Sequence, residues 1–326
     1  MTVFVTGASG HIGSNLIRAL VKEERSVRAL IRNDTRGIEG LKIETAKGDI
    51  LDYETLLNSM TGCETVYHLA ASISILGDKT GIVRKTNVAG TENIIKACLV
   101  CGVRRLVHFS SIHAYSPFPL ALAIDENRTP ADSKSPAYDR SKANGSQIVL
   151  DAVKDRRIDA VVIAPTAVIG PYDFKPSRMG EVLLKLHNRS FLALIQGGYD
   201  WVDVRDVVKG AMHAEKTADA GSQFLLSGHW CSIRELAQIV DEIRGIKPPR
   251  FTTPMWLARL AAPLSEAIAR FQKRNPLFTT EALVALRRHR LISREKAEDQ
   301  LGYQPRPLGD TIKDTFAWFD ERGMLE

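Results

Sequence analysis

The chain opens on an apolar run, Val3-Phe4-Val5, that leads without interruption into Thr6-Gly7-Ala8-Ser9-Gly10-His11-Ile12-Gly13 and then into a helical pattern. Few short sequences restrict a fold as tightly. A strand feeds a turn in which Gly7 and Gly10 carry no side chain, so backbone amides can approach a pyrophosphate, and Gly13 lets the following helix pack closely on its sheet. The spacing Gly-x-x-Gly-x-x-Gly departs from the commoner Gly-x-Gly-x-x-Gly fingerprint. Taken alone it also describes an ordinary flexible turn.

The rest of the first half continues that alternation. Val3 to Val5, Val27 to Ile31, Thr65 to Leu69, Arg105 to Phe109 and Ala160 to Ile163 have the composition of strands, with helical patterns between them near 12–23, 52–60, 87–101 and 137–154. Alternation of this kind predicts an α/β fold, a Rossmann-type doubly wound parallel sheet with helices on both faces. After Pro165 the pattern loosens, and Pro171, Pro176, Gly197-Gly198, Pro248-Pro249 and Pro254 punctuate shorter elements. We expect residues 1–165 to form a dinucleotide-binding domain. Residues 166–326 then form mainly a smaller α+β substrate lobe over the carboxyl ends of the strands, with segments returning to the sheet.

At 326 residues the chain can bury a large core, and no window supplies the roughly eighteen consecutive apolar residues of a membrane span. The strand and glycine turn at the start leave no room for a signal peptide, so a cytoplasmic location is expected. Four cysteines make no disulfide framework. Cys98-Leu99-Val100-Cys101 closes an apolar helical pattern and reads as structural, and no His/Cys/Asp/Glu cluster has metal-ligand spacing. Residues 250–296 hold ten Lys and Arg against three Asp and Glu, which accounts for the net charge of +6. Arg270, Lys273, Arg274 and Arg287-Arg288-His289-Arg290 lie there. A solvated helical face explains them, and peripheral contact with an anionic surface is the sharper alternative. No nucleic-acid partner is expected.

The second strand ends Ile31-Arg32-Asn33-Asp34. A carboxylate at a strand end favours NAD, whereas Arg32 offers a cation to a 2′-phosphate. NADP(H) is therefore expected, with NAD(H) as the alternative should Asp34 turn inward. Farther on, Tyr138 and Lys142 stand four residues apart, on one helix face within reach of a shared ligand. Free tyrosine, with a pKa of about 10, is a poor base at neutral pH, and a lysine cation beside it lowers that value. Upstream, the strand Arg105 to Phe109 ends in Ser110-Ser111. A hydroxyl there, on Ser110 or Ser111, can polarise the same substrate oxygen. A hydrolytic triad of Ser111, His113 and an aspartate lacks the Gly-x-Ser-x-Gly elbow. His68, inside a strand, reads as a satisfied buried histidine.

The glycine turn, Ser-Ser-x-x-x-Tyr, and Tyr138-x-x-x-Lys142 together resemble the extended short-chain dehydrogenase/reductase superfamily, the NAD-dependent epimerase/dehydratase family. The likeness is nearest to its dihydroflavonol reductase and 3β-hydroxysteroid dehydrogenase branch and spans nearly the whole chain. The resemblance implies catalysis by Ser111, Tyr138 and Lys142, with Ser110 the fallback for Ser111. It implies cofactor contacts from Gly7, Ser9, Gly10, His11, Ile12 and Gly13, from Arg32, from Asp49 and Ile50, from Leu69, Ala70 and Ala71, and from Pro165, Thr166 and Val168, besides Tyr138 and Lys142. Asn87 can cap a helix, and the resemblance implies, compatibly, that it holds the loop beside the active site, helps relay the lysine's proton and belongs with the cofactor-binding residues. Sugar-nucleotide epimerases commonly carry asparagine where Thr166 stands. That departure favours a mostly apolar small-molecule substrate, interconverted between carbonyl and secondary alcohol, over a nucleotide sugar bound with tightly held NAD. A catalytically silent cofactor sensor is the third possibility. The apolar stretch Trp256, Leu257, Leu260, Leu264, Ile268 and Phe271 reads by default as core of the second lobe, or as a cover for a hydrophobic substrate. The helices 87–101 and 137–154 imply a homodimer.

Overall fold

The computed structural model describes residues 2–74, 77–260, 283, 284, 286 and 290–325. Seven parallel strands form its centre in the order β3-β2-β1-β4-β5-β6-β10. These are β1 (Thr2–Thr6), β2 (Ser26–Ile31), β3 (Glu44–Lys47), β4 (Thr65–His68), β5 (Arg105–Phe109), β6 (Ala160–Pro165) and β10 (Gln223–Leu226). The strand order reverses between β1 and β4, which places a ligand crevice above their carboxyl ends. In β1, Phe4 faces one apolar cluster and Val3 and Val5 the opposite one, as the two-residue period of a strand sandwiched on both faces requires.

On one face lie α1 (His11–Lys22) and α7 (Val204–Thr217); on the other lie α2 (Tyr53–Met60), α4 (Gly90–Cys101) and α5 (Ala137–Lys154). Helix α1 forms because Leu16, Ile17 and Leu20 recur on one buried stripe, each burial contributing about 1.5–3 kcal/mol. Helix α4 is reached through α3 (Ile82–Arg84) and a π turn at Lys85–Ala89, earlier than the pattern from 87 predicts. The Asp78 carboxylate accepts from the Val83 and Arg84 amides at 2.9 Å and fixes that start.

Beyond β6 the chain builds smaller sheets. β7 (Ala167–Ile169), β9 (Gly198–Asp203) and β11 (His229–Ser232) form one, and β8 (Leu194–Ile195) pairs with β12 (Thr252–Thr253). With α6 (Arg178–His187), α8 (Ile233–Arg244) and α10 (Leu308–Glu321) they enclose their own apolar cluster around Trp201 and Phe316. β10, α7 and α9 (Glu295–Leu301) return to the large sheet. Asp203 caps α7, its carboxylate accepting from the Arg205 amide at 2.7 Å, while Asp206 binds Arg306.

One packing expectation fails. Trp256, Leu257 and Leu260 are 65%, 45% and 72% exposed rather than core, because Met255 and Ala258 take the buried positions of their turn. Leu264, Ile268, Phe271, Arg270, Lys273, Arg274, Arg287, Arg288 and His289 lie outside the described residues. Arg290 is stacked 4.4 Å over the Trp230 ring. Among the described residues no helix is long and apolar enough to cross a membrane.

Candidate active site

A cavity of about 1320 Å³ runs along the carboxyl ends of the strands and into the second lobe. That exceeds the roughly 300–1,000 Å³ of a single drug-sized ligand and leaves space for a dinucleotide and a substrate together. Its floor is the glycine turn. Gly7 adopts φ +68°, and a Cβ there would stand 2.7 Å from the Ala70 amide nitrogen; one on Gly13 would stand 2.2 Å from the Gly7 carbonyl oxygen. Neither position has space for a side chain. Gly10 precedes α1 in extended backbone, with no side-chain cap and no acidic residue in the first turn. The first amides of α1 therefore face the cavity unclaimed, and the helix dipole adds positive potential where a pyrophosphate would sit. This cradle fits a dinucleotide. The hydroxyl of Thr6 accepts from the Ala70 amide at 3.2 Å, pinning the Leu69-Ala70-Ala71 wall against the turn.

At the adenosine end, Arg32 is largely exposed and lies 3.6 Å from the Asp49 carboxylate. Asp34 is engaged elsewhere: its two oxygens receive the Arg36 guanidinium at 2.9 and 2.7 Å. That pairing, with Arg36 first and backbone contacts adding to it, holds the carboxylate below its ordinary pKa despite slight burial. Ile50 is buried against Gly90.

All sequence-predicted site residues line this cavity except Asn87. Asn87 sits in the π turn, buried behind the wall, and caps no helix. Its amide donates to the Ser72 carbonyl at 3.0 Å and to Ser141 Oγ at 2.8 Å, and its oxygen accepts from the Ser72 amide at 2.7 Å. It thus ties the wall loop to α5. Gly145 permits this, since a Cβ there would stand 2.8 Å from the Asn87 carbonyl.

Three consecutive residues at the end of β5 meet α5. The Phe109 carbonyl accepts from Lys142 Nζ at 2.5 Å. Ser110 Oγ pairs with Ser146 Oγ at 2.6 Å, which removes Ser110 from the chemistry. Ser111 Oγ accepts from the His113 amide at 3.3 Å and lies beside the Tyr138 phenol. Burial pushes that phenol up to about 12; the Ser111 hydroxyl opposes the rise and the neighbouring Asp139 carboxylate adds to it. Lys142, fully enclosed, is lowered by burial to about 8. The lysine therefore does not acidify the phenol in this state, and Tyr138 holds its proton at neutral pH. His68 bonds Thr6 Oγ1 at 2.9 Å and Thr91 Oγ1 at 3.1 Å, a satisfied buried ring.

Thr166 donates its hydroxyl to Asp200 at 2.7 Å, so that side chain is committed to the protein. Arg178 escaped sequence reasoning, and His113 entered it only in the hydrolytic triad that was set aside. His113 Nδ1 lies 3.2 Å from the Asp139 carboxylate, and its ring meets the Tyr138 ring edge-on at 5.8 Å. Arg178, at the start of α6, lines the far half of the cavity. No spacing rule links either to the Tyr-x-x-x-Lys helix. Among the described residues no group of His, Cys, Asp and Glu could hold a metal ion.

A family model for the NAD dependent epimerase/dehydratase family matches residues 3–226. The chain is 33% identical over 330 residues to sterol demethylase protein B of Methylococcus capsulatus, covering all of both chains. It is 30% identical to a 4-hydroxy-2-methyl-3-oxo-4-farnesyl-3,4-dihydroquinoline-1-oxide ketoreductase of Stigmatella aurantiaca, over 94% of this chain and 92% of the other. A crystal structure designated gox2253 superposes with a TM-score of 0.86 at 31% identity, covering 100% and 99% of the two chains.

Proposed function

We propose that this chain, which belongs to the NAD dependent epimerase/dehydratase family, is an NADP(H)-preferring reductase that interconverts a carbonyl and a secondary alcohol on a mostly apolar small molecule. Family membership carries the coarser statement, an NAD(P)-dependent enzyme of oxidoreductase or epimerase type. The observation that carries the finer one is the Ser111 hydroxyl placed beside the Tyr138 phenol in the wall of the same cavity as the glycine cradle.

When bound, the nicotinamide supplies hydride to the substrate carbon or removes it. Ser111 and Tyr138 hold the substrate oxygen between their hydroxyls, and in reduction the phenol hands its proton to that oxygen as negative charge develops. A phenol held protonated suits this direction. Lys142, four residues on along the same face of α5, resupplies the proton that the phenol gives up. His113 and Asp139 brace the phenol ring. Arg32 takes the 2′-phosphate, a reading supported by the engagement of Asp34 with Arg36.

The farnesyl-bearing ketone in the name of the Stigmatella relative supports an apolar carbonyl substrate. The commitment of Thr166 to Asp200 speaks against a nucleotide sugar. On this reading residues 1–165 bind the dinucleotide and 166–326 mainly the substrate. The four free cysteines fit a cytoplasmic location, and Leu99 and Val100, exposed on α4, fit a homodimer seam with α5.

The test is a screen of ketones, aldehydes and nucleotide sugars with NADPH and NADH, run on the wild type and Tyr138→Phe. Apolar ketones with NADPH should turn over, and the variant should lose about 10²–10⁴-fold. Turnover that survives Tyr138→Phe would remove the mechanism.

A further inference from the structure

The far half of the cavity is apolar, walled by Met179 and Val182 of α6 with Phe191, Leu194 and Leu286. Arg178 stands among them. Its guanidinium is half-buried, and neither a hydrogen bond nor an ion pair joins it to any described residue. Arg32 in the same cavity has Asp49 within 3.6 Å, and the half-buried Arg25, Arg205 and Arg306 are each tied to carboxylates. Burial depresses Arg178, while Glu181 and Tyr199 pull it back. Tyr199 of β9 is packed edge-on to Trp201 at 5.5 Å, and its hydroxyl likewise has no hydrogen-bond partner among the described residues. A half-buried guanidinium with five donors and no protein acceptor among the described residues, set in an apolar wall, offers those donors to whatever occupies the cavity.

We propose that Arg178, with the Tyr199 hydroxyl, anchors a carboxylate borne by the otherwise apolar substrate. The inference rests on the reductase reading and names its substrate class. One guanidinium and one phenol match a single planar carboxylate; Lys175, the other cation on this stretch of wall, lies toward Asp34. The position excludes the cofactor's own pyrophosphate as the natural occupant: Tyr199 belongs to the three-stranded sheet, paired with Cys231, and the α1 terminus already serves a pyrophosphate. Arg178 opens α6, so the positive end of that helix reinforces the attraction.

Dodecanoate and dodecanamide, alike in length and differing in charge, are the probes, with binding measured calorimetrically on the NADPH-loaded protein. Dodecanoate should bind about tenfold or more tighter. Arg178→Met should erase that preference, Arg178→Lys should retain part of it, and Tyr199→Phe should reduce it. NADPH affinity, read from nicotinamide fluorescence, should stay within twofold in all three. Equal binding of the two probes to the wild type overturns the proposal. So does an Arg178→Met protein that loosens NADPH tenfold, which assigns the guanidinium to the cofactor. If Arg178→Met does not fold, the wild-type preference and Tyr199→Phe decide. Dodecanoate binding needs no turnover, so a Tyr138→Phe protein that keeps the preference separates this inference from the mechanism.

Discussion

Replacing Lys142 with methionine should abolish turnover and make the protein more stable. The side chain is 5% exposed, and burial lowers its pKa from 10.5 to about 8. Each pKa unit is about 1.4 kcal/mol, so keeping this ammonium inside the fold at pH 7 costs about 3 kcal/mol. Methionine has similar length and no charge. Its substitution leaves the Phe109 carbonyl without a donor, a loss of about 1–3 kcal/mol that offsets part of the gain. The net expectation is about 1 kcal/mol of stabilisation at pH 7.

The pH dependence separates this account from ordinary repacking. Below pH 8 the lysine is protonated in both folded and unfolded states, and the folded chain bears the whole penalty. Between about 8 and 10.5 the unfolded chain still holds the proton and the folded one has released it, so wild-type stability gains from this group as pH rises. Lys142→Met lacks that gain. Urea denaturation at pH 7, 8, 9 and 10 should show the variant ahead at pH 7 and overtaken by pH 10. A variant less stable than wild type at pH 7, with a parallel pH profile, refutes the buried-cation argument.

Three further outcomes follow from the geometry. Arg32→Ala should raise the Kd for NADPH about 10- to 100-fold and leave NADH nearly unchanged, the loss of one charge-assisted contact; equal effects on both cofactors would place Arg32 off the 2′-phosphate. Gly13→Ala puts a methyl 2.2 Å from the Gly7 carbonyl oxygen, a backbone clash that should cost about 1–3 kcal/mol and loosen NADPH; an unchanged melting temperature and affinity would contradict it. His68 is held at about 3 and His108 well below its ordinary value, in both cases by burial first and Lys142 second. As pH falls below about 6.5 the unfolded chain binds protons these rings refuse, so each removes about 1.4 kcal/mol of stability per pH unit. His108→Leu should halve that shared slope between pH 6 and 4, and an unaltered slope would show that the ring takes its proton when folded.

What the sequence discloses tracks how local each determinant is. The glycine turn, the strand cores around Val5, Val66 and Val107, and the helix carrying Tyr138 and Lys142 are written in contiguous residues with a two- or 3.6-residue period. The beginning of α3 is not: Asp78, whose carboxylate holds its first amides, lies four residues ahead of Ile82 with Gly81 between, so the pattern reads as starting only at Asn87. Asn87 consequently looks like a cap, when its partners Ser72 and Ser141 are supplied by other elements. The second lobe is still less local. Its strands run from two to six residues, too short for alternation to register. The Tyr199–Arg178 pair and the His113–Asp139 pair arise only once β9, α6 and α5 converge on one cavity.

The end of β5 shows how the sheet sets the chemistry. Phe109, Ser110 and Ser111 engage Lys142, Ser146 and Tyr138 in turn, so strand and helix are keyed at three successive positions. A slide of α5 by one turn would break all three contacts together and would drive Gly145 off the Asn87 carbonyl it must pass closely. Ser111 therefore meets the phenol because Ser110 is held by Ser146, not because of any special reactivity of its own. The adjacent serine, identical in type and one residue away, spends its hydroxyl on Ser146 and contributes structure alone. Which of two neighbouring serines works is decided by the partner each meets on α5, and the helix glycine that permits the approach is as much a determinant of the site as the hydroxyl it positions.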